Sequence, residues 1–524
     1  MAFPPTGRRQ AMALSAALLA APAQSRAAGP QRLIGVIEED PPFLNPAISS
    51  TISSFVAGAP CYSALTRMDI NGAITGDLAE RWETSPDGTA YTFHLRRGVT
   101  WHDGHPFTAA DAKFSLEQVN SKLHPYRGAL NSISAFEAPD DATLVLRLKA
   151  PQASLIKTLG NFCSSILPRH LWEGRDYAGV PQNLAPVGTG PFKFAEFRPG
   201  DQIRYVRNDA YFLPGKPGFD ELIFRIIPDP AARIAAFQKG EVDMIYSSAV
   251  PATEVERARR MRGVALRFSK VQTAGYQAYI NMRNAPYSDV RVRQALAHAI
   301  DRGFIRSSVF PGLAQNMVGP VPPTSPLYNA ALEDYALDPA RANALLDAAG
   351  FPRGADGMRF PLRYLFGAND LPARKIGEII GRNLAGVGIR VVQTPLDRGA
   401  IIQRAYVALE FDMVAGSFSL GPDPDVGIER FYNSNNIFNI QAVNNSPYVN
   451  PEVDRLFDEQ RVQTDEAKRK AIYDRIQAII WRDIPVFPFC AYTLPGLTRT
   501  TYANGTFEHV EASAREDFAY VTPA

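Results

Sequence analysis

The stretch from Pro361 to Ser417 constrains the fold more than any other feature of the 524 residues, because its hydrophobic period changes four times. Pro361 to Phe366 is a short apolar run that reads as a strand. Leu371 to Leu384 follows, with Ile376, Ile379 and Ile380 on one face, the spacing of an amphipathic helix. Ile389 to Gln393 is strand-like again, Ala400 to Leu409 is helical, and Phe411 to Ser417 is a third strand. Buried strands joined in turn by helices lie side by side through crossovers, which predicts a parallel α/β sheet. Upstream, Leu222 to Ile227, a helix from Pro230 to Lys239 stopped by Gly240, and Val242 to Tyr246 read as one βαβ unit. Open sheets of this kind bind ligands beyond the carboxyl ends of their strands. The loops that follow these strands are therefore where function is sought.

A chain of this length exceeds what one core supports, so two or three domains are expected. At its start, Arg8-Arg9 precedes an apolar run from Ala11 to Ala23, too short to span a bilayer, with Ala27 placed for cleavage. That is an export signal, and the arginine pair resembles a twin-arginine one, although Gln10 and Ala11 stand where a large apolar residue is usual. The first 27 residues hold three Arg and no acid, which leaves 52 Lys+Arg against 53 Asp+Glu in the mature chain. That balance does not favour a nucleic-acid partner. Cys61, Cys163 and Cys490 are too few for a disulfide scaffold and lack metal-site spacing. One disulfide with a free thiol is left open.

The segment Asp77 to Val119 has a reading for every piece. Ser85-Pro86-Asp87-Gly88 is a turn, and Tyr91, Phe93 and Leu95 alternate with polar residues as in a half-buried strand. Gly98 breaks that strand and Val99 to Trp101 resumes it. Asp103-Gly104 turns the chain again, and Thr108 with Asp111 starts a helix as a capping box. His94, His102, Asp103 and His105 are residue types that suit zinc or nickel, but their spacing is poor, so they are read as structural and no metal is expected. Ser154-Leu155-Ile156-Lys157 spells a Ser-x-x-Lys, without the Lys-Thr-Gly strand that its chemistry requires. Val187-Gly188-Thr189-Gly190-Pro191-Phe192 lacks the Lys-Ser/Thr of a phosphate loop. Further on, Asp289 caps a helix from Val290, Asp338-Pro339 opens another, and Glu452 to Trp481 is a long helix broken near Thr464-Asp465. Tyr62 and Leu65 are placed on a short helix.

Taken together, Asp77 to Val119, Pro41-Pro42-Phe43-Leu44-Asn45-Pro46, Pro168 to Trp172, Gly188 to Phe192, Arg207 to Phe212, Tyr279 to Arg283 and Asp423-Pro424-Asp425 closely resemble the family 5 extracellular solute-binding proteins. The resemblance implies an α/β, two-lobed periplasmic-binding-protein-like fold, a type II three-domain cluster with its ligand cleft between the lobes. It divides the chain into the export signal 1–27, lobe I from 28–68, 187–269 and 490–524, an inserted domain II at 69–186, and lobe III at 270–489. It also implies a cleft lined by Phe43, Leu44, Asn45, Tyr62, Tyr276, Asn281, Phe418, Leu420, Asp423 and Asp425. Asp423 and Asp425 stand to receive an ammonium group with Phe418 stacked on the ligand; alternatively they cap the next segment. Peptide-binding relatives usually carry an Asp where this chain has Leu420, and often a Trp where it has Phe418.

The function so implied is capture of a peptide or peptide-like solute by hinge closure and delivery to an ABC permease and ATPase on separate chains. The protein is expected to be a periplasmic monomer with no cofactor, no catalytic group and no nucleic-acid partner. Within the binding class the alternatives are a nickel chelate, haem, an opine or an oligosaccharide. From another class, a hydrolase pairing Asp423 with Glu429 would show one raised carboxyl at glycosidase spacing.

Overall fold

The computed structural model describes residues 31–523 apart from 50, 69–72, 125–126, 160–163, 178, 247–248, 269–273, 422, 494 and 504–520. The expected export signal and Cys163 lie outside the described residues. Cys61 and Cys490 are buried free thiols.

The alternating stretch folds as its period demands. Strands Phe360–Gly367 and Ile389–Leu396 pair in parallel, and Phe360–Gly367 also runs parallel to Met413–Ser419. Helix Leu371–Ala385 connects the first two and buries Ile376, Ile379 and Ile380. The second crossover differs from expectation: a short helix at Arg398–Ile401 gives way to a π-helix at Ile402–Val407, and Leu409 has φ 53°. The wider turn buries Ala405 and Tyr406 and brings the chain into the third strand. Strand Ala274–Ile280 pairs antiparallel to Met413–Ser419 on one side and to Val486–Tyr492 on the other, completing a six-stranded mixed sheet with Ala314–Gln315.

A second sheet has the order Arg32–Ile37, Glu221–Ile226, Gln202–Arg207, Phe192–Arg198, with only the first pair parallel. Helix Pro230–Lys239 forms as read: Asp229 accepts a hydrogen bond from Ala232 N at 2.7 Å, and Gly240 ends it at φ 82°. The strand after it approaches that sheet, with Asp243 N donating to Ile34 O at 2.7 Å, but its ladder lies elsewhere. Met244–Ile245 joins a separate three-stranded sheet, antiparallel to Gly496–Arg499, which also pairs with Val264–Arg267. Period alone could not tell which partner this short strand would choose.

Residues 79–148 supply an antiparallel sheet ordered Ala79–Thr84, Ala90–Leu95, Thr143–Leu148, Ile133–Asp140. Tyr91, Phe93 and Leu95 are buried in alternation, and the Thr108–Asp111 capping box is present. Tyr62 and Leu65 are not helical. The helix before them is Ile52–Gly58, and the chain turns at Pro60, which cannot continue a helix.

Candidate binding site at the strand ends

The parallel strands of both large sheets aim their carboxyl ends at loops rich in polar and aromatic groups. After Arg32–Ile37 come Glu38 and Glu39. Tyr246 donates its hydroxyl hydrogen to Glu38 Oε2 at 2.8 Å, and burial raises the Glu38 carboxyl above its ordinary value despite that bond. Ser53 Oγ donates to Glu39 Oε1 at 3.1 Å. Beyond them Phe43 is half-buried, while Leu44 and Asn45 are fully enclosed. The Asn45 amide is spent on the loop itself: Nδ2 donates to Asn183 Oδ1 at 3.0 Å, and Oδ1 accepts from Ala47 N at 3.0 Å.

Tyr62 lies against the returning Gly188-Thr189-Gly190 segment. A Cβ on Gly188 would sit 1.8 Å from Cys61 O, so only glycine permits this approach. The Tyr62 hydroxyl and Thr189 Oγ1 are buried without a partner among the described residues. His102 fastens the same segment. Gly188 N donates to its Nδ1 at 3.2 Å, and its Nε2 lies 3.0 Å from Gly190 O, which makes Nε2 the donor. Burial pushes the His102 pKa down to about 4, so the ring is neutral at pH 7 with both nitrogens engaged.

In the six-stranded sheet, Tyr276 donates to Asp370 Oδ1 at 2.6 Å, and burial raises the Asp370 carboxyl. Asp370 follows the end of Phe360–Gly367 and caps the next helix. Asn281 belongs elsewhere. Five residues along an extended strand carry it about 17 Å from Tyr276, and its Nδ2 donates to Leu409 O and Phe411 O at the opposite end of the sheet. The sequence reading missed Gln277. It is 1% exposed, its Nε2 has no hydrogen-bond partner among the described residues, and its Oε1 and the Leu420 side chain both lie near the space above Gly275. A lone amide in the apolar run Ala274–Ile280 was the available signal.

Near the end of Met413–Ser419 the Phe418 ring meets Tyr279 and Phe431 edge-on at 5.0 and 5.8 Å, and the loop that follows presents Leu420, 2% exposed. Gly427 holds that loop down, since a Cβ there would lie 1.9 Å from Leu420 O. Asp423 and Asp425 were read either as receiving a ligand's ammonium group or as capping the next segment, and their oxygens meet protein groups. Arg469 grips Asp423 with two bonds of 2.6 and 2.9 Å, and Lys157 Nζ adds a third at 3.3 Å. Asp423 also caps Pro424–Gly427 by accepting from Asp425 N. Asp425 accepts from Ser154 Oγ and from Gln460 Nε2, and Arg461 lies 3.3 Å away. Ala153 N donates to Arg461 O at 3.0 Å. The Ser-x-x-Lys segment thus docks against the acidic loop and the helix Pro451–Val462.

Glu429 does have the raised carboxyl a hydrolase would need, pushed up to about 8 by burial and by Asp425, with Arg461 opposing. It is 7% exposed, Asp423 is 1% exposed, and Arg461 and Arg469 cover the two acids. The raised value reports enclosure beside another acid rather than a group open to substrate.

The histidine group read from sequence separates. His94 Nε2 lies 3.3 Å from Glu83 and His102 is engaged at the glycine segment, whereas Asp103 and His105 meet His170, which the sequence reading had not joined to them. Among the described residues no helix is long and apolar enough to cross a membrane.

Residues 73–439 match the family model described as bacterial extracellular solute-binding proteins, family 5 middle. The chain is 30% identical to the dipeptide-binding protein of Escherichia coli strain K12, across 86% of this chain and 88% of that one. It is 31% identical to heme-binding protein A of Haemophilus influenzae, across 78% of each. Among solved structures, the ABC transporter-associated periplasmic binding protein DppA from Helicobacter pylori in complex with peptide STSA superposes with a TM-score of 0.81. It is 26% identical and covers 94% of this chain and 98% of that one.

Proposed function

The chain belongs to family 5 of the bacterial extracellular solute-binding proteins, and from that premise we propose that it captures a short peptide or peptide-like solute and delivers it to an ABC permease. The ligand sits at the strand ends, bounded by Phe43, Tyr62, Tyr276, Gln277, Phe418 and Leu420, and the lobes close on it by a hinge. Export by the twin-arginine pair and action as a periplasmic monomer belong to the same reading. No bond of the solute is made or broken.

One observation carries the assignment of the ligand's character. Leu420 and Gln277 Oε1 share the space above Gly275, and Gln277 Nε2 has no partner among the described residues, while Asp423 is tied up by Arg469 and Lys157. Apolar burial plus an amide donor suits the backbone and side chains of a peptide-like molecule. It does not supply an anion at position 420. A non-peptide solute is the second reading, favoured by that same Leu420 and by likeness to a heme-binding protein.

The test is a thermal-shift panel of peptides of two to five residues, each free and N-acetylated, beside haem, nickel–histidine, opines and oligosaccharides. Peptides should raise Tm by mass action. Acetylation should change affinity by less than about tenfold, below the ~1.5–3 kcal/mol that a charged hydrogen bond contributes. Silence from every peptide with a response from another class removes the peptide assignment. A hundredfold loss on acetylation would place an anion at the amino end.

A further inference from the structure

We propose that Asp103, His105 and His170, none of them assigned to the strand-end site, bind one divalent transition-metal ion of the zinc–nickel type. The carboxylate and the two imidazoles offer three donor atoms that all lie within 4.8 Å of one another. His105 Nδ1 is 3.2 Å from Asp103 Oδ1, and His170 Nε2 is 2.8 Å from Asp103 Oδ2. The two rings stand 4.2 Å apart, tilted by 31°. Two ring nitrogens from segments 67 residues apart thus converge on one carboxylate.

The supports of this cluster are fixed by packing that has no need of a metal. The turn is held by Trp101 N to His105 O at 2.8 Å and Gly104 N to Trp101 O at 2.9 Å, with Trp101 buried beneath it. The short helix Arg169–Trp172 is pinned by Arg169 N to Asp111 Oδ1 at 3.0 Å and by the fully buried Trp172. In a tetrahedral zinc site, bonds of about 2.0–2.2 Å put neighbouring donors roughly 3.4 Å apart. The Asp103–His105 and Asp103–His170 separations are already near that value. Only rotation of exposed side chains is needed to bring in the rest.

Two imidazoles and one carboxylate favour zinc, nickel or copper over magnesium or calcium, which take oxygen ligands. Side-chain exposures of 27%, 61% and 30% for Asp103, His105 and His170 leave a fourth position open to water. His102 and His94 are not part of the set. A bound ion would tie the turn to the helix next to the point where His102 holds the Gly188–Gly190 segment.

The experiment uses the untagged mature chain, stripped with chelator, and titrates Co²⁺ by visible absorption and Zn²⁺ by calorimetry. The expected result is one ion per chain, with the intense bands of low-symmetry Co²⁺ displaced by Zn²⁺. His170→Ala and Asp103→Asn should each weaken binding at least tenfold, and His94→Ala should leave it unchanged. Circular dichroism without metal verifies that each variant is folded. Absence of the Co²⁺ bands in the unaltered chain overturns the site, as does affinity within threefold in both variants. Neither result depends on what the strand-end site binds.

Discussion

Asp423→Ala separates a scaffolding acid from a ligand-binding one. In the folded chain burial alone would raise the Asp423 carboxyl, but hydrogen bonds and charge from Arg469, with help from Lys157, outweigh it and hold the group below its ordinary value. Removing one partner of a buried ion pair costs about 3–5 kcal/mol, mostly because the other charge is left enclosed. Arg469 retains Gln460 Oε1 at 2.9 and 3.1 Å, which argues for the lower end, about 3 kcal/mol. A chain with several cores does not unfold in one step, so the loss is best read locally. Hydrogen exchange across the helix Glu466–Asp483 should accelerate by roughly a hundredfold, the equivalent of ~3 kcal/mol. Adding Arg469→Met should restore part of the loss, since an apolar replacement leaves no unpaired charge. Exchange accelerated by less than tenfold, or a double variant worse than the two singles combined, would refute the reasoning. So would a tenfold loss of ligand affinity with exchange unaltered, which would return Asp423 to the ligand.

Two more outcomes follow from the same loop. Burial and Asp425 raise the Glu429 carboxyl from 4.5 to about 8, so between those values the folded chain keeps a proton that the unfolded chain has released. Stability from this group therefore falls as pH rises through that window, and Glu429→Gln should flatten the decline in Tm between pH 5 and pH 8. Gly427→Ala should lower both Tm and ligand affinity, because its Cβ would displace the Leu420 carbonyl; unchanged affinity in calorimetry would detach this loop from the site.

What could be read from sequence was what neighbours along the chain decide. The turn at Ser85–Gly88 closes with Gly88 N on Ser85 O, and Thr108 with Asp111 caps its helix, because both involve groups three residues apart. The parallel strands at 360–419 were legible because crossover helices leave few alternatives. The acidic loop was legible only as far as its cap, for the opposite reason. Arg469 is 46 residues from Asp423 and Lys157 is 266 residues away, so nothing local reveals that the carboxylate is already matched. Gln277 escaped notice because an unmet amide is a property of the packed sheet, not of its own strand. Asn281, grouped with Tyr276 in the cleft by the family resemblance, lies at the far end of the sheet because the strand Ala274–Ile280 runs between them.

The strand Gly496–Arg499 sits between Met244–Ile245 and Val264–Arg267, pairing Leu497 with both Ile245 and Leu266. A growing chain must therefore hold those two earlier strands apart, unjoined, until nearly all of it has been made. Contacts so distant along the backbone slow folding. The N-terminal half gains its last sheet partner only when the C-terminal half delivers it, so neither reaches its final form alone, and a break before residue 496 harms the part that was synthesised first.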